Sequence, residues 1–204
     1  MQQIRLYYKS NLKEFFTMAE QLKTRVMIYA RASYAHIFEP QAINEGDEPK
    51  YNVSLIIDKN DEKSINNIKK AIENAKQNGK EKFGGKIPAN LSTPLRDGDT
   101  DREDDEAYQN AYFLNAKTKR KPQVLDMDGQ RTDDPDEVYS GCYIRVTVNF
   151  YPYSVSGSKG IACGLGNIMK AKDGEPLAGG GAKAEDEFAE FIDFDADFDE
   201  LLED

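Results

Sequence analysis

Residues 24–38 alternate: Val26, Ile28, Ala30 and Ala32 fall on one side, Arg25, Met27, Tyr29 and Arg31 on the other. A period of two predicts a strand with one buried face. Residues 40–49, with Pro40, Gly46, Asp47 and Pro49, read as a loop. The segment 51–58 repeats the alternation with Tyr51, Val53, Leu55 and Ile57 on one face. The pattern then changes period. Asp61 stands where a helix N-cap is wanted, and Ile65, Ile68, Ile72 and Ala75 follow at helical spacing with lysines on the other side, until Gly79 ends the run.

Beyond the helix, 83–94 is loop-like, with Gly84, Gly85, Pro88 and Pro94. Residues 96–106 form a solvated acidic stretch. A short strand over 112–116 leads into the basic turn 117–121, then a strand over 123–126 and an acidic loop over 127–137. Residues 139–155 read as the longest strand, with Cys142, Ile144, Val146, Val148 and Phe150 as its core face. A last strand over 159–169 is read as broken by Gly160, Gly164 and Gly166. About six or seven strands and one major helix, without regular strand–helix alternation, exclude a Rossmann or TIM layout. They predict a mainly β protein: a small antiparallel barrel with one helix. Internal repeats are not evident.

Charge changes this picture at the C-terminus. Residues 185–204 carry eleven acids and no base. Taking those eleven from the 37 acids leaves 26 against 27 bases, so most of the net charge of −10 sits on one segment. The acidic total therefore does not exclude nucleic acid. A near-neutral body can carry a local basic face, and a tethered polyanion can compete for it. Glycines 179–181 and their neighbours over 178–183 read as a flexible link. So acidic a tail is expected to be disordered when free. Its Phe188, Phe191, Phe194, Phe198 and Leu201 recur at spacings of three and four, the stripe of a helix that folds in a partner's groove. In an alternative reading, its carboxylates and rings mimic phosphates and bases in the protein's own groove; in a third, the tail only solubilises.

At 204 residues the chain fits one domain plus a tail. The domain is expected over 22–172, the linker over 173–184 and the tail over 185–204. No transmembrane segment or signal peptide is read in it. Residues 1–21 read as an extension: Lys13-Glu14 can be encoded by a ribosome-binding sequence a short spacer upstream of Met18, which predicts translation from Met18. The alternative there is a short helix over 12–22.

Candidate chemistry is concentrated on the long strand. Opposite its core face lie Tyr143, Arg145, Thr147, Asn149, Tyr151 and, past Pro152, Tyr153. Rings interleaved with a cation suit single-stranded nucleic acid, because rings stack on any base and cations hold phosphates. Periodicity alone leaves open that the tyrosines pack beneath a loop or helix. Lys117, Lys119, Arg120 and Lys121 form either a phosphate-tracking turn or an ordinary solvated hairpin tip. Lys86 and Arg96 are weaker candidates, and Tyr34, His36 and Phe38 end the first strand with three rings facing one way. A structural role is expected for His36. Asp97, Asp99 and Asp101 match the start of a calcium loop, but Arg102 stands where Gly is needed and Tyr108 where Glu is needed. Cys142 and Cys163 are too few and too far apart for a zinc site and are expected to be reduced packing residues. No catalytic constellation, metal site or cofactor motif is read in the chain.

Several blocks taken together resemble one family. They are Ser33-Tyr34-Ala35-His36-Ile37-Phe38, Lys82-Phe83-Gly84-Gly85-Lys86-Ile87-Pro88, Thr93-Pro94-Leu95-Arg96-Asp97-Gly98-Asp99, Val138-Tyr139-Ser140-Gly141-Cys142-Tyr143 and Lys159-Gly160-Ile161-Ala162-Cys163-Gly164-Leu165. Across residues 22–188 the chain resembles the bacteriophage OB-fold single-stranded DNA-binding proteins with an acidic tail. The resemblance implies an OB-type barrel without catalytic residues, which coats single-stranded DNA during phage replication and recombination inside the bacterial host cell. Its tail departs from related ones in ending on Leu201-Leu202-Glu203-Asp204 rather than on an aromatic residue. Tail partners are expected among phage or host replication and recombination proteins. Two rival readings stay open, a DNA-mimic inhibitor acting through its acids and a metal-dependent nuclease using the loop 97–105, and an annealing or recombination-mediator role is a variant of the main one.

Overall fold

The computed structural model describes residues 23–42, 46–155 and 157–177. The expectations for residues 1–21 and for the tail lie outside these residues. Strands β1 (Arg25–Gln41), β2 (Lys50–Asp58), β3 (Arg96–Asp97), β4 (Ala111–Thr118), β5 (Val124–Leu125), β6 (Tyr143–Val155) and β7 (Ser158–Lys172) are joined by helix α1 (Glu62–Asn78) and a single turn of helix, α2 (Gly98–Asp101).

Five strands close on themselves. The circuit runs β4–β2–β1–β6–β7, antiparallel at each step, and returns to β4 through a parallel pairing of Lys117 with Gly164. Such a five-stranded closed circuit with one main helix is the OB-type barrel that was expected. Its interior is supplied by alternate residues, among them Ile28, Ala30, Val53, Leu55, Leu114, Ile144, Val146, Phe150 and Ile168, all buried.

Helix α1 forms where the spacing predicts it. Asp61 caps it, accepting the Ser64 amide at 3.0 Å, and Ile65, Ile68, Ala71, Ile72 and Ala75 are its buried stripe. It packs against β6 and β1. Gly79 ends it at φ −85°, so no left-handed cap is involved. The glycine is required by close approach: a Cβ there would lie 2.5 Å from the Pro152 Cβ and 2.7 Å from the Phe83 ring.

Several local expectations are corrected. The longest strand is β1, of 17 residues; β6 starts only at Tyr143 and has 13. The glycines of β7 do not break it, and it runs on to Lys172. The 123–126 strand shrinks to Val124–Leu125, parallel to β7. The acidic stretch is not simply solvated. It folds into β3, α2 and a 3-10 turn (Glu106–Tyr108) that buries Tyr108 completely. Tyr108 packs edge-on against Phe113 at 5.1 Å and its hydroxyl donates to Ser54 Oγ at 2.9 Å. This small second core covers part of the outer face of β2 and β4, which is why Ser54 and Ile56 are buried despite pointing away from the barrel interior. Asp97 and Asp99, the would-be calcium ligands, both hold Lys59 Nζ, at 2.7 and 2.6 Å.

Candidate nucleic-acid interface

The outer face of β1 and β6 is left open. Arg25, Met27, Tyr29 and Arg31 of β1 stand opposite Asn149, Thr147, Arg145 and Tyr143 of β6 in register. Tyr29 stacks on Tyr143 with ring centroids 5.7 Å apart and planes at 15°. Two cations flank Tyr143: Lys172, its cross-strand partner on β7, lies 4.2 Å from the ring centroid, and Arg31 lies 5.9 Å away. Met27 is 66% exposed, Tyr29 37% and Tyr151 45%. Arg145 is exposed and has no hydrogen-bond or ion-pair partner among the described residues. A guanidinium free among ring faces can engage a phosphate without first breaking a bond.

The glycines of β7 shape this surface. Gly160, Gly164 and Gly166 point outward beside Tyr153, Tyr151 and Thr147. A Cβ on Gly160 would come within 2.7 Å of the Tyr153 ring, and one on Gly164 within 3.3 Å of the Tyr151 ring. The missing side chains therefore let both rings lie across β7. Gly164 also pairs with Lys117 of β4, so one line of outward positions joins Lys117, Gly164 and Tyr151.

The basic turn divides. Lys119 Nζ binds Glu48 at 2.5 Å and Lys121 Nζ binds Asp133 at 2.8 Å, while Lys117 and Arg120 have no acidic partner among the described residues. The Lys119 hydrogen bond holds the Glu48 carboxyl below its ordinary range, and Asp133 raises Lys121. Exposed pairs of this kind are screened by solvent and contribute little, so a phosphate can displace either acid.

Tyr34, His36 and Phe38 share a different setting. If the alternation of β1 continued, these even-numbered residues would face the core with Ala32. A bulge between Ser33 and His36 reverses the parity, so that Ile37 is buried instead. Tyr34 takes φ +47° there and is half exposed. The three rings line a cleft of about 1300 Å³. Its rim holds Asp101, Glu103, Asp104, Asp105, Glu106 and Asp136, a field that opposes a phosphate backbone. Arg102 reaches over the Tyr34 ring at 5.4 Å and the Tyr108 ring at 5.1 Å. Arg96 is engaged by Asp101 at 2.9 Å and lies over Phe113. Lys86 is exposed in the loop after α1, which Lys82 and Lys159 tie down through the Pro152 and Phe83 carbonyls.

The structure thus gathers Tyr143, Arg145, Tyr151, Tyr153 and Lys117 on one surface and sets Tyr34, Phe38 and Arg96 apart from it. It adds Arg25, Met27, Tyr29, Arg31 and Lys172, which the sequence reading did not single out. The signal of the four β1 residues was the polar side of the first alternation; what was missing was the pairing of β1 with β6, and for Lys172 the pairing of β7 with β6. The tail residues Phe188, Phe191, Phe194, Phe198 and Leu201 lie outside the described residues.

An OB-type barrel with an open face of rings and cations defines the class of oligonucleotide-binding barrels. Comparison places the chain more closely. It belongs to the family described as Enterobacter phage Enc34, ssDNA-binding protein, which it matches over residues 23–200. Putative protein p50 of Acyrthosiphon pisum secondary endosymbiont phage 1 is 31% identical over 168 residues, covering 78% of this chain and 88% of that protein. Among solved structures, the single-stranded DNA-binding protein from bacteriophage Enc34 in complex with ssDNA superposes with a TM-score of 0.69 at 27% identity. That match covers 76% of this chain and 90% of that one. The single-stranded DNA-binding protein gp2.5 of bacteriophage T7 shares the fold, with a TM-score of 0.55 at 20% identity over 82% of this chain and 94% of that one.

Proposed function

We propose that this protein coats single-stranded DNA in phage replication and recombination, in the cytoplasm of the bacterial host, without catalysis or cofactor. Bases stack on Tyr29, Tyr143, Tyr151 and Tyr153. Arg145, Lys117 and the basic turn Lys119, Arg120 and Lys121 hold phosphates, with Lys86 at the margin. The observation that carries this reading is Arg145, without a partner among the described residues, on a sheet face of exposed rings. Stacking and phosphate binding are indifferent to sequence, so binding is sequence-tolerant and weakens with salt. Tyr34 and Phe38, in the acid-rimmed cleft, and the engaged Arg96 are secondary contacts in this scheme.

The acidic tail regulates access to the face and recruits replication or recombination proteins through Phe188, Phe191, Phe194, Phe198 and Leu201. Its point of departure supports the first role. Residues 173–177 are strapped down by bonds from Arg31 to the Glu175 carbonyl at 2.7 Å and from the Leu177 amide to the Ser140 carbonyl at 2.9 Å. Gly174 sits against the Tyr143 ring, where a Cβ would be 3.1 Å from it. From Leu177 residues 178–184 span at most about 24 Å, enough to bring acids over the rings.

The test is fluorescence anisotropy with labelled oligo-dT and a matched duplex, comparing the full chain with a truncation ending at Lys183 at two salt concentrations. Tighter, salt-sensitive binding to the single strand after truncation is expected. Absence of binding by both forms overturns the proposal in favour of a DNA-mimic inhibitor, and strand-annealing assays separate coating from mediation.

A further inference from the structure

A second concavity lies where β1 begins, against helix α1. Asn67, Lys70, Ala71 and Asn74 succeed one another at helical spacing and present one face of α1. Arg25 and Met27 come from the start of β1 and Lys23 from just before it. Asn74 builds the junction. It is only 8% exposed, and its Nδ2 donates to the Lys23 carbonyl at 2.8 Å, which ties the incoming chain to the helix. Between the two elements is a cavity of about 270 Å³.

Its lining is chemically one-sided. Lys23, Arg25 and Lys70 bring three cations, and none of the described residues lining it is acidic. The neighbouring Glu73 is turned to Lys76 at 3.1 Å and to Gln77. Lys23 and Lys70 have no side-chain partner among the described residues, and Arg25 donates only from one terminal nitrogen to Thr147 Oγ1, at 3.3 Å. Cations converging on one concavity repel each other until an anion arrives. None of the described residues lining it is aromatic, so they offer nothing for a base to stack on, whereas three cations and the Asn67 amide match the oxygens of a phosphate.

We infer that this pocket is a phosphate site that takes a backbone phosphodiester of the same DNA strand after it leaves the Tyr29–Tyr143 stack. Continuity is the reason for choosing this source. Arg25 and Met27 belong to both the pocket and the open sheet face, four and two residues before Tyr29 on one strand. The strand is thereby led off the barrel wall and round onto α1, and the footprint extends past the sheet. The inference rests on the DNA-binding reading above, and its test keeps the two apart.

One arm uses inorganic phosphate alone. The side-chain amide of Asn67, assigned with an Asn67→Ser variant, is followed by NMR in the full chain at constant ionic strength, with chloride as control. A saturable shift that is absent in a Lys23→Ala/Lys70→Ala variant is expected; no shift, or the same shift with chloride, overturns the site. The other arm measures the salt dependence of binding to a long oligo-dT. The double variant should lower the slope of log K against log salt by about 0.7, the share of the one single-strand phosphate no longer neutralised. Tyr151→Ala should weaken binding with the slope unchanged. A wild-type slope in the double variant overturns the DNA assignment. If the wild-type chain binds no oligonucleotide, the functional reading fails and the phosphate arm alone decides the pocket. Both lysines are exposed, so an unchanged melting temperature certifies the fold.

Discussion

Removing Arg145 and Tyr151 together probes the assignment where it is most exposed. The two side chains project outward from β6 six positions apart, and neither contributes to the core, which Ile144, Val146, Val148 and Phe150 fill from the same strand. An Arg145→Ala/Tyr151→Ala variant therefore keeps its barrel, with a cross-strand contribution of about 0.2–1 kcal/mol at stake for each residue. The effect on DNA is larger. A base stacked on Tyr151 is worth about 1–3 kcal/mol, which is roughly a 5- to 150-fold loss of affinity at 1.4 kcal/mol per tenfold. Without Arg145 one phosphate fewer is neutralised, read as a fall of about 0.7 in the salt slope. Anisotropy with labelled oligo-dT at several salt concentrations measures both, and Tyr151→Phe serves as the control. The ring, not the hydroxyl, does the stacking, so the phenylalanine variant should bind as the parent does. Affinity within about twofold of the parent and an unchanged slope, in a double variant that melts normally, would refute the placement of DNA on this face.

Three further outcomes follow from the geometry. Gly98→Ala places a Cβ 2.1 Å from the Tyr108 carbonyl oxygen and 2.8 Å from that of Ala111. Both obstacles are backbone, so a loss of about 1–3 kcal/mol is expected in urea unfolding, and an unshifted midpoint would contradict it. Burial pushes the Cys163 thiol up to about 12 and raises Cys142 as well, so neither should react with a thiol reagent at pH 8 until the chain unfolds; rapid labelling of the native protein counts against that packing. Asp99 is held below the ordinary aspartate value of 3.8 by the Lys59 hydrogen bond, with a smaller contribution from the Asn110 amide. A folded value below the unfolded one stabilises fully above the ordinary range, and this is lost as pH falls through it. The melting temperature of Asp99→Asn should trail the parent at pH 6, and the gap should narrow as pH falls below the ordinary aspartate value of 3.8; a constant gap is the contrary result.

What was legible in the chain is what depends on neighbours in sequence. The stripe Ile65, Ile68, Ile72 and the Asp61 cap specify α1 from within, because residues three and four apart meet on a helix whatever surrounds it. The alternations of β1, β2 and β6 are likewise local. The bulge at Tyr34 is not. It consists in two residues of β1, Tyr34 and Ala35, facing one of β2, Val53, and it turns Tyr34, His36 and Phe38 outward against their parity. The burial of Tyr108 within an acidic run was hidden for the same reason: its partners, Ser54 and Phe113, come from β2 and β4. So was the neutralisation of Asp97 and Asp99 by Lys59, some forty positions earlier in the chain.

The candidate site divides along the same line, and its glycines show why. In a lone strand, Gly160, Gly164 and Gly166 read as interruptions, since a glycine contributes no packing and weakens the strand. Once β6 is laid beside β7, each glycine falls at an outward position next to a larger β6 side chain, and the absence of a Cβ becomes the room in which Tyr153 and Tyr151 lie. The same pairing carries the surface across the barrel seam to Lys117, a residue that sequence could place only in a basic turn. The turn itself illustrates the opposite error. Four charges in five residues look like one electrostatic feature, yet Glu48 and Asp133 arrive from distant loops to engage Lys119 and Lys121. A count of charges along a chain thus overstates the field where acids fold back onto it and understates it where, as around Arg145, none of the described residues does. The net field at a nucleic-acid surface is a property of the pairing of strands, and the single residue whose freedom matters most is recognisable only once the strands around it have been placed.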